Sequence, residues 1–219
     1  GITRLHLEED AGKLSHVAGA TLCDYNRSGT PLMEIVSEPD MRSSQQASLY
    51  AQELQKILRY VGSAQCDMEK GGMRFDANVS VRKRGEQKLG VKVEVKNLNS
   101  FKSLEEAIEY EFKRQVEMIE KNERIMQETR GFDDAKRITF SQRSKEQAND
   151  YRYFPEPDLP PLFISREYVE LLKSQVPELP SERKERFIEQ YTLSEYDARI
   201  LTDISALADY FEKVAKLSS

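Results

Sequence analysis

The strictest constraint on the fold of this chain is the alternation of apolar and polar residues in two short stretches, 74–82 and 91–97. Successive side chains of a β-strand point to opposite faces of the sheet, so each stretch has one apolar face and one polar face. A turn near Gly85 joins the two stretches, which predicts an antiparallel hairpin. We expect Asp76 and Glu94 to lie on the same polar face of that hairpin.

Two helices are predicted from their start signals. Ser43 and Ser103 each stand three residues before a Gln or Glu, the pattern of a capping box, which satisfies free amide groups of the first helical turn. The first helix is predicted to end at Gly62. Apolar residues follow a helical period in both segments, and we interpret the many charges of the second helix mostly as a solvated face.

Together with the remaining segments, these elements predict a fold of the α+β class. Residues 32–36 and 137–143 are predicted strands. Prolines at 155, 157, 160 and 161 predict a rigid extended segment, and the residues from 165 onward have the composition of short helices. We therefore expect antiparallel sheets with packed helices, followed by an all-α segment.

Charge and cysteine usage exclude several classes of protein. The 33 Lys and Arg against 38 Asp and Glu give a net charge of −5, so the chain as a whole does not attract a polyanion. No apolar run approaches the roughly 20 residues of a membrane helix. Cys23 and Cys66 match neither a zinc spacing nor a disulfide framework, which suits a reducing cytoplasm. We expect a soluble cytoplasmic protein that has no membrane partner.

An acidic loop near the start of the chain has two interpretations. Three consecutive acids, 8–10, are followed by Gly12 and Lys13. Charge runs are usually solvated turns, and composition alone favours that interpretation. A loop of acids, Gly and Lys also suits a divalent cation and a phosphate. His6 and His16, the two histidines of the chain, flank this loop, and their roles stay open.

The polar face of the hairpin also has two interpretations. A solvated sheet face is commonly polar. Asp76 and Asn78, however, are poor strand formers, which calls for a reason. With Glu94 they offer the oxygen ligands that Mg²⁺ prefers, and Lys96 adds a cation for phosphate. The chain contains no P-loop motif, so that type of nucleotide site is excluded.

The sequence resembles the B subunits of glutamyl-tRNA(Gln)/aspartyl-tRNA(Asn) amidotransferases over nearly all of its 219 residues. The motifs occur in the family's order and at its spacing, and several are long and unusual in composition. They are "RLHLEEDAGK", "DYNRSGTPLMEIVSEPDMRS", "RFDANVSVR", "EVKNLNSFK", "QETRGFD" and "DYRYFPEPDLPPL".

The resemblance implies a domain organisation and a reaction. Residues 1–165 would form most of a catalytic cradle domain, and 166–219 would begin a helical domain. The family uses ATP and Mg²⁺ to phosphorylate the side-chain carboxylate of a mischarged Glu-tRNA or Asp-tRNA. Ammonia from the glutaminase A subunit then displaces the phosphate. The implied partners are that A subunit, a small C subunit and the mischarged tRNA.

The resemblance also assigns roles to residues of this sequence. The family's metal-site acids map onto Glu9, Asp76 and Glu94, which tips the acidic loop toward a catalytic role. For binding of nucleotide and phosphate we predict residues that flank those acids, and for binding of substrate we predict polar residues of the proline-rich motif. The first set is Lys13, Arg74, Asn78 and Lys96, and the second is Arg152 and Glu156.

The sequence leaves an alternative open, a non-catalytic module of the same complex that binds tRNA or supports assembly. The family's N-terminal strand, with a glutamate and a histidine of the site, is absent here, as is its tail domain. We therefore expect this chain to be part of a longer protein and to be inactive alone. Which mischarged tRNA is used, and whether the small third subunit is present, stay open.

Overall fold

The computed structural model describes residues 1–144 and 162–217. These residues divide into two units, Gly1–Arg42 and Ser43–Ser219, each with its own internal contacts. Within the described ranges, no helix is both long and apolar enough to cross a membrane. The proline-rich segment predicted to be extended lies almost entirely outside the described residues, and a domain boundary near 165 stays a prediction.

The first unit consists of two antiparallel strand pairs. Strand β1 (Ile2–Glu9) pairs with β4 (Pro31–Ser37), which confirms the predicted strand at 32–36. Strand β2 (Lys13–Val17) pairs with β3 (Ala20–Asp24) through a two-residue turn. Gly19 in that turn has a φ of 76°, a left-handed conformation that glycine adopts without steric cost.

The second unit begins with a helix and a four-stranded sheet. Its elements are α1 (Ser44–Tyr60), β5 (Phe75–Val79), β6 (Val93–Leu98), α2 (Phe101–Glu120), β7 (Glu128–Asp133) and β8 (Ile138–Ser144). The strand order is β5-β6-β7-β8, and β5 pairs antiparallel with β6, which confirms the predicted hairpin. The predicted strand at 137–143 is likewise confirmed by β8.

One strand pair differs from the expected antiparallel arrangement. Strands β6 and β7 are parallel, and α2 is the crossover between them. A parallel connection needs a crossover of a dozen or more residues, which the 20-residue α2 provides. The helix packs its apolar side, with Leu104 and Ala107, against a core that includes Val79, Val95 and Leu98.

The first helix begins as predicted, and the second does not. The Ser43 hydroxyl accepts a hydrogen bond from the Gln46 amide, which confirms the start of α1. In α2 the N-cap is Ser100, three residues before the predicted Ser103. The Ser103 hydroxyl instead donates to Asp134, at 2.5 Å, while its amide donates to Ser100. The prediction of Ser103 as cap was therefore wrong because a tertiary contact uses its side chain.

Within the described residues, four short helices follow residue 165, as predicted from the composition of this part of the chain. They are α3 (Arg166–Gln175), α4 (Pro180–Tyr191), α5 (Glu195–Leu201) and α6 (Ser205–Leu217). Their small core contains Phe187, Ala198 and Ala208. The Tyr60 hydroxyl of α1 donates to the Thr202 carbonyl at 2.6 Å, which joins these helices to the preceding part of the unit. The α+β class is confirmed.

A buried charged cluster joins α2 to β7 and β8, and the sequence did not predict it. The Glu111 side chain, which was expected to be solvated, is 0% exposed. Its carboxylate accepts hydrogen bonds from Arg114, Gln115 and Thr139, and lies 3.5 Å from Arg130. A buried charge is tolerated only when it is paired and hydrogen-bonded, and this one is both.

Candidate functional site

The predicted site on the hairpin is shaped by an irregularity in strand β6. Phe75 pairs with Leu98, but Ala77 pairs with Val95, so two residues of β6 stand opposite Asp76 alone. Such a β-bulge bends the strand and re-aims side chains. Strict alternation would have placed residue 97 on the core face. The bulge places Leu98 there instead, where it is 1% exposed.

Asn97 makes this bulge possible by adopting a left-handed backbone. Its φ is 62°, and asparagine is among the few residues other than glycine that occupy this region readily. In this conformation the Asn97 amide donates a 3.1 Å hydrogen bond to Oδ1 of Asp76. The polar residue at 97, which is unusual for a strand end, is therefore explained by backbone geometry.

The structure brings together four of the predicted site residues on the polar face. Asn78 stands directly opposite Glu94 in the hairpin register. The Lys96 ammonium lies 3.5 Å from Oδ2 of Asp76 and 3.7 Å from Oε1 of Glu94. The expectation that the two acids face the same side is confirmed.

Each of the two carboxylates has one oxygen bound by a neighbouring strand. Oδ1 of Asp76 accepts from the Asn97 amide, and Oε2 of Glu94 accepts from the Thr129 hydroxyl at 3.1 Å. The other oxygen of each acid is the one nearest to Lys96. Each carboxylate is thus held in place through one oxygen, and its other oxygen faces the Lys96 ammonium on a partly exposed surface.

This donor set suits a hard divalent cation. Mg²⁺ is usually held by one or two carboxylates and retains several waters or phosphate oxygens. The side chains of Asp76 and Glu94 are 39% and 20% exposed, so both can be reached from solvent. The Lys96 ammonium already contacts both acids, and it would have to turn aside for a metal ion to bind there.

A substitution at Asn97 tests how much the bulge depends on its left-handed residue. We expect Asn97→Gly to keep the fold and Asn97→Val to lower the free energy of unfolding by about 1–2 kcal/mol, because a β-branched residue is strained at this φ. Urea denaturation of the full-length protein measures both. Asn99→Val, at an exposed position beyond the strand, is the matched control. Equal stability of the two Asn97 variants would contradict the assignment.

Glu9 and Lys13 lie in the first unit, Gly1–Arg42. Glu9 is exposed at the last position of β1, opposite Pro31 in the register, and Lys13 begins β2 opposite Asp24. Next to Glu9, Asp10 accepts a 2.7 Å hydrogen bond from Arg27. The acidic loop therefore consists of the end of strand β1 and the short connection after it, which the ion pair between Asp10 and Arg27 partly fixes.

The first unit also contains a group of possible metal ligands that the sequence did not predict. His6 Nδ1 lies 3.2 Å from Oε2 of Glu34, its partner in the strand register, and a Glu8 carboxylate oxygen lies within 4.8 Å of both. His6 and Glu8 share one face of β1. Strand β1 was not predicted from the sequence. The alternation of side chains along it was the signal that could have identified it. His16 contacts Thr21 across the other strand pair, at 3.0 Å.

The remaining predicted site residues are Arg74, Arg152 and Glu156. Arg74 is exposed immediately before β5. Arg152 and Glu156 lie outside the described residues, so their predicted role in binding substrate stays a prediction. Thr129, by contrast, was missed. Strand β7 has no clear period, and neither composition nor spacing marks this residue.

Comparisons with known proteins agree with the resemblance. A family model described as "GatB/GatE catalytic domain" matches residues 1–170. The B subunit of the aspartyl/glutamyl-tRNA(Asn/Gln) amidotransferase of Carboxydothermus hydrogenoformans is 55% identical over 221 residues, which cover 99% of this chain and 46% of that protein. The B subunit of the same name from Dehalococcoides mccartyi is 56% identical, and the match covers 98% of this chain and 44% of that protein.

A third relative, from Gloeothece citriformis, is 54% identical, with coverage of 97% of this chain and 44% of its own length. The chain thus spans slightly less than half the length of the curated relatives that it matches. Identity at this level over almost the whole chain, together with the family model, leads to one conclusion. The chain belongs to the GatB/GatE catalytic domain family and is related along its length to amidotransferase B subunits.

Proposed function

We propose that the full-length protein uses ATP to phosphorylate the side-chain carboxylate of Glu-tRNA(Gln), Asp-tRNA(Asn) or both, and that ammonia then displaces the phosphate to give the amide. The observation that carries this proposal is the pair of fixed carboxylates, Asp76 and Glu94, facing one cation on the hairpin. Family membership supports the choice of reaction.

The chemistry explains why such a site would be needed. A carboxylate is a poor acylating agent because its oxygen is a poor leaving group. Transfer of the γ-phosphoryl group to that oxygen gives an acyl phosphate and ADP. Attack by ammonia at the acyl carbon then releases phosphate. The catalytic demand on the protein is mainly to position the reactants and to stabilise negative charge.

The residues predicted to bind metal and phosphate each have a role in this proposal. Asp76 and Glu94 would hold Mg²⁺, which when bound neutralises charge on the phosphoryl group. Lys96, with 41% of its side chain exposed, can turn from the two acids toward a phosphate. Asn78, on the same face, would donate a hydrogen bond there. Glu9 is proposed as a further metal ligand, on the match of its motif to the family.

Arg74 and Lys13 are likewise proposed as phosphate contacts because each flanks a predicted site acid. The proposed partners are the glutaminase A subunit that supplies ammonia, a small C subunit and the mischarged tRNA, all in the cytoplasm. The relatives are themselves named as one lettered subunit of an amidotransferase, which supports a complex of several subunits.

A direct assay tests the reaction. The full-length protein in its complex is supplied with mischarged tRNA, Mg²⁺ and ammonium chloride in place of glutamine, with and without ATP. We expect amide formation only with ATP, and one ADP formed for each amide. Amide formation without ATP would contradict the proposal. Tight binding of mischarged tRNA with no ATP consumption would favour the alternative, a non-catalytic module for tRNA binding or assembly.

Removal of the Lys96 charge should weaken the use of ATP. A hydrogen bond to a charged group contributes about 1.5–3 kcal/mol, so we expect Lys96→Ala to lower kcat/KM for ATP by roughly 10- to 150-fold. Lys102→Ala removes an exposed lysine of α2 that has only a 3.9 Å ion pair with Glu106, and it serves as the control. An unchanged kcat/KM in Lys96→Ala would remove this residue from the site.

A further inference from the structure

Thr129 contacts the candidate site from a strand that the sequence did not predict. It stands beside Glu94 in the parallel register of β6 and β7. Its hydroxyl donates to Oε2 of Glu94 at 3.1 Å, and the residue is 8% exposed. Because this hydroxyl is engaged with Glu94, its contribution to a cation site would act through the carboxylate that it contacts.

We propose that Thr129 is a positioning residue that orients the Glu94 carboxylate for a divalent cation. Its hydroxyl binds one oxygen of Glu94, and the other oxygen then faces the same point as Oδ2 of Asp76, where Lys96 lies. Groups that hydrogen-bond to metal ligands fix their orientation, and their loss weakens the metal site. This inference rests on the proposed function.

The strand that carries Thr129 is itself fixed from the opposite face. The next residue, Arg130, donates to Glu128 at 2.7 Å and to the Thr139 hydroxyl at 2.8 Å, and it lies 3.5 Å from Glu111 of α2. Neighbouring side chains of a strand point to opposite faces. Thr129 therefore faces the site while Arg130 anchors the same backbone to the buried cluster behind it.

A purely structural role for Thr129 makes a different prediction. If the hydroxyl only satisfied its own hydrogen bond, its removal would lower stability and leave cation binding unchanged. A positioning role predicts that cation binding weakens even when the protein stays folded. Measurement of both properties on the same variants separates the two roles.

The experiment titrates Mn²⁺ into the full-length protein in its complex, without ATP or tRNA, and follows free Mn²⁺ by electron paramagnetic resonance. We expect Thr129→Val, which keeps the shape and removes the hydroxyl, to raise the Kd by about 10- to 100-fold. Thr129→Ser, which keeps the hydroxyl, should bind nearly as well as the original protein. Thermal unfolding is recorded for each variant, and Thr129→Ala replaces the valine variant if that variant does not fold.

Two further variants make the outcome decisive. Thr202→Val removes another buried hydroxyl, which donates to the Ala198 carbonyl of helix α5, and should leave the Kd for Mn²⁺ unchanged. Asp76→Asn should weaken binding if the proposed metal site exists. Weakened binding in Asp76→Asn with an unchanged Kd in Thr129→Val would overturn this inference alone. Equal losses in the valine and serine variants would also overturn it, and no loss in Asp76→Asn would refute the metal site itself.

Discussion

Asp76→Asn and Glu94→Gln are each expected to lower the rate of ATP-dependent amidation by at least about 100-fold, the typical effect of removing one group that stabilises charge in a phosphoryl or acyl transfer. Each substitution keeps the size of the side chain and removes the negative charge that faces the cation. Glu9→Gln is expected to act in the same way, on the match of its motif.

Glutamine hydrolysis by the partner subunit is the internal control in this experiment. In the proposed complex this hydrolysis takes place in another polypeptide, so it should stay close to normal in all three variants. Glu117→Gln neutralises an exposed acid of α2 and is the matched control for the change in charge. Near-normal amidation by Asp76→Asn and Glu94→Gln would show that the hairpin acids do not form the catalytic site.

Glu111→Ala is expected to give the largest loss of stability, about 3–5 kcal/mol, because it removes a fully buried carboxylate that two partly buried arginines share, Arg114 and Arg130, and leaves Glu128 as their shared acid. In the native protein the hydrogen bond from Arg114 to Glu111 raises the pKa of that guanidinium above its ordinary value. Arginine remains protonated in proteins even without such a bond, so the variant keeps the positive charge. Gln115 and Thr139 would lose an acceptor as well.

Denaturation of the full-length protein by urea or heat measures this effect. The unit Ser43–Ser219 has the size for which 1 kcal/mol corresponds to about 2–4 °C in Tm, so a fall of about 6–20 °C is expected in the transition of this unit. Glu109→Ala, on the solvated face of the same helix with an exposed ion pair to Lys113, should change stability by less than about 0.5 kcal/mol. Equal effects of the two substitutions would show that the buried cluster contributes little.

The hairpin and its acids were predictable because a strand has a simple period. Alternation alone placed Asp76 and Glu94 on one face, and the register confirms this arrangement. The bulge was not predictable from the same pattern, because it depends on the backbone conformation of Asn97, and strict alternation assigns residue 97 to the wrong face. The period of a sequence thus identifies a site face, but not the local irregularity that orients its side chains.

The contribution of β7 could not be predicted for a different reason. Gly131 interrupts the strand pattern, and a Cβ atom there would approach the Phe140 and Gln142 side chains to 2.6 and 2.5 Å. A side chain at 131 would therefore have to displace the ends of these two exposed side chains, while in the sequence the glycine weakens the strand signal. Glu111 was missed because a charge on a helix is normally solvated, and its partners, Arg130 and Thr139, come from later strands.

The parallel pairing of β6 with β7 has a consequence for how the protein folds as it is synthesised. Thr129 follows Glu94 by 35 residues, so the hairpin leaves the ribosome well before the strand that completes its surroundings. A hairpin forms within about 1–10 μs, far faster than translation at roughly 5–20 residues per second. The acids can therefore meet on the nascent chain first, with Asp76 held by the Asn97 amide of the hairpin itself. The orientation of Glu94 becomes fixed only after α2 has formed and β7 has joined the sheet.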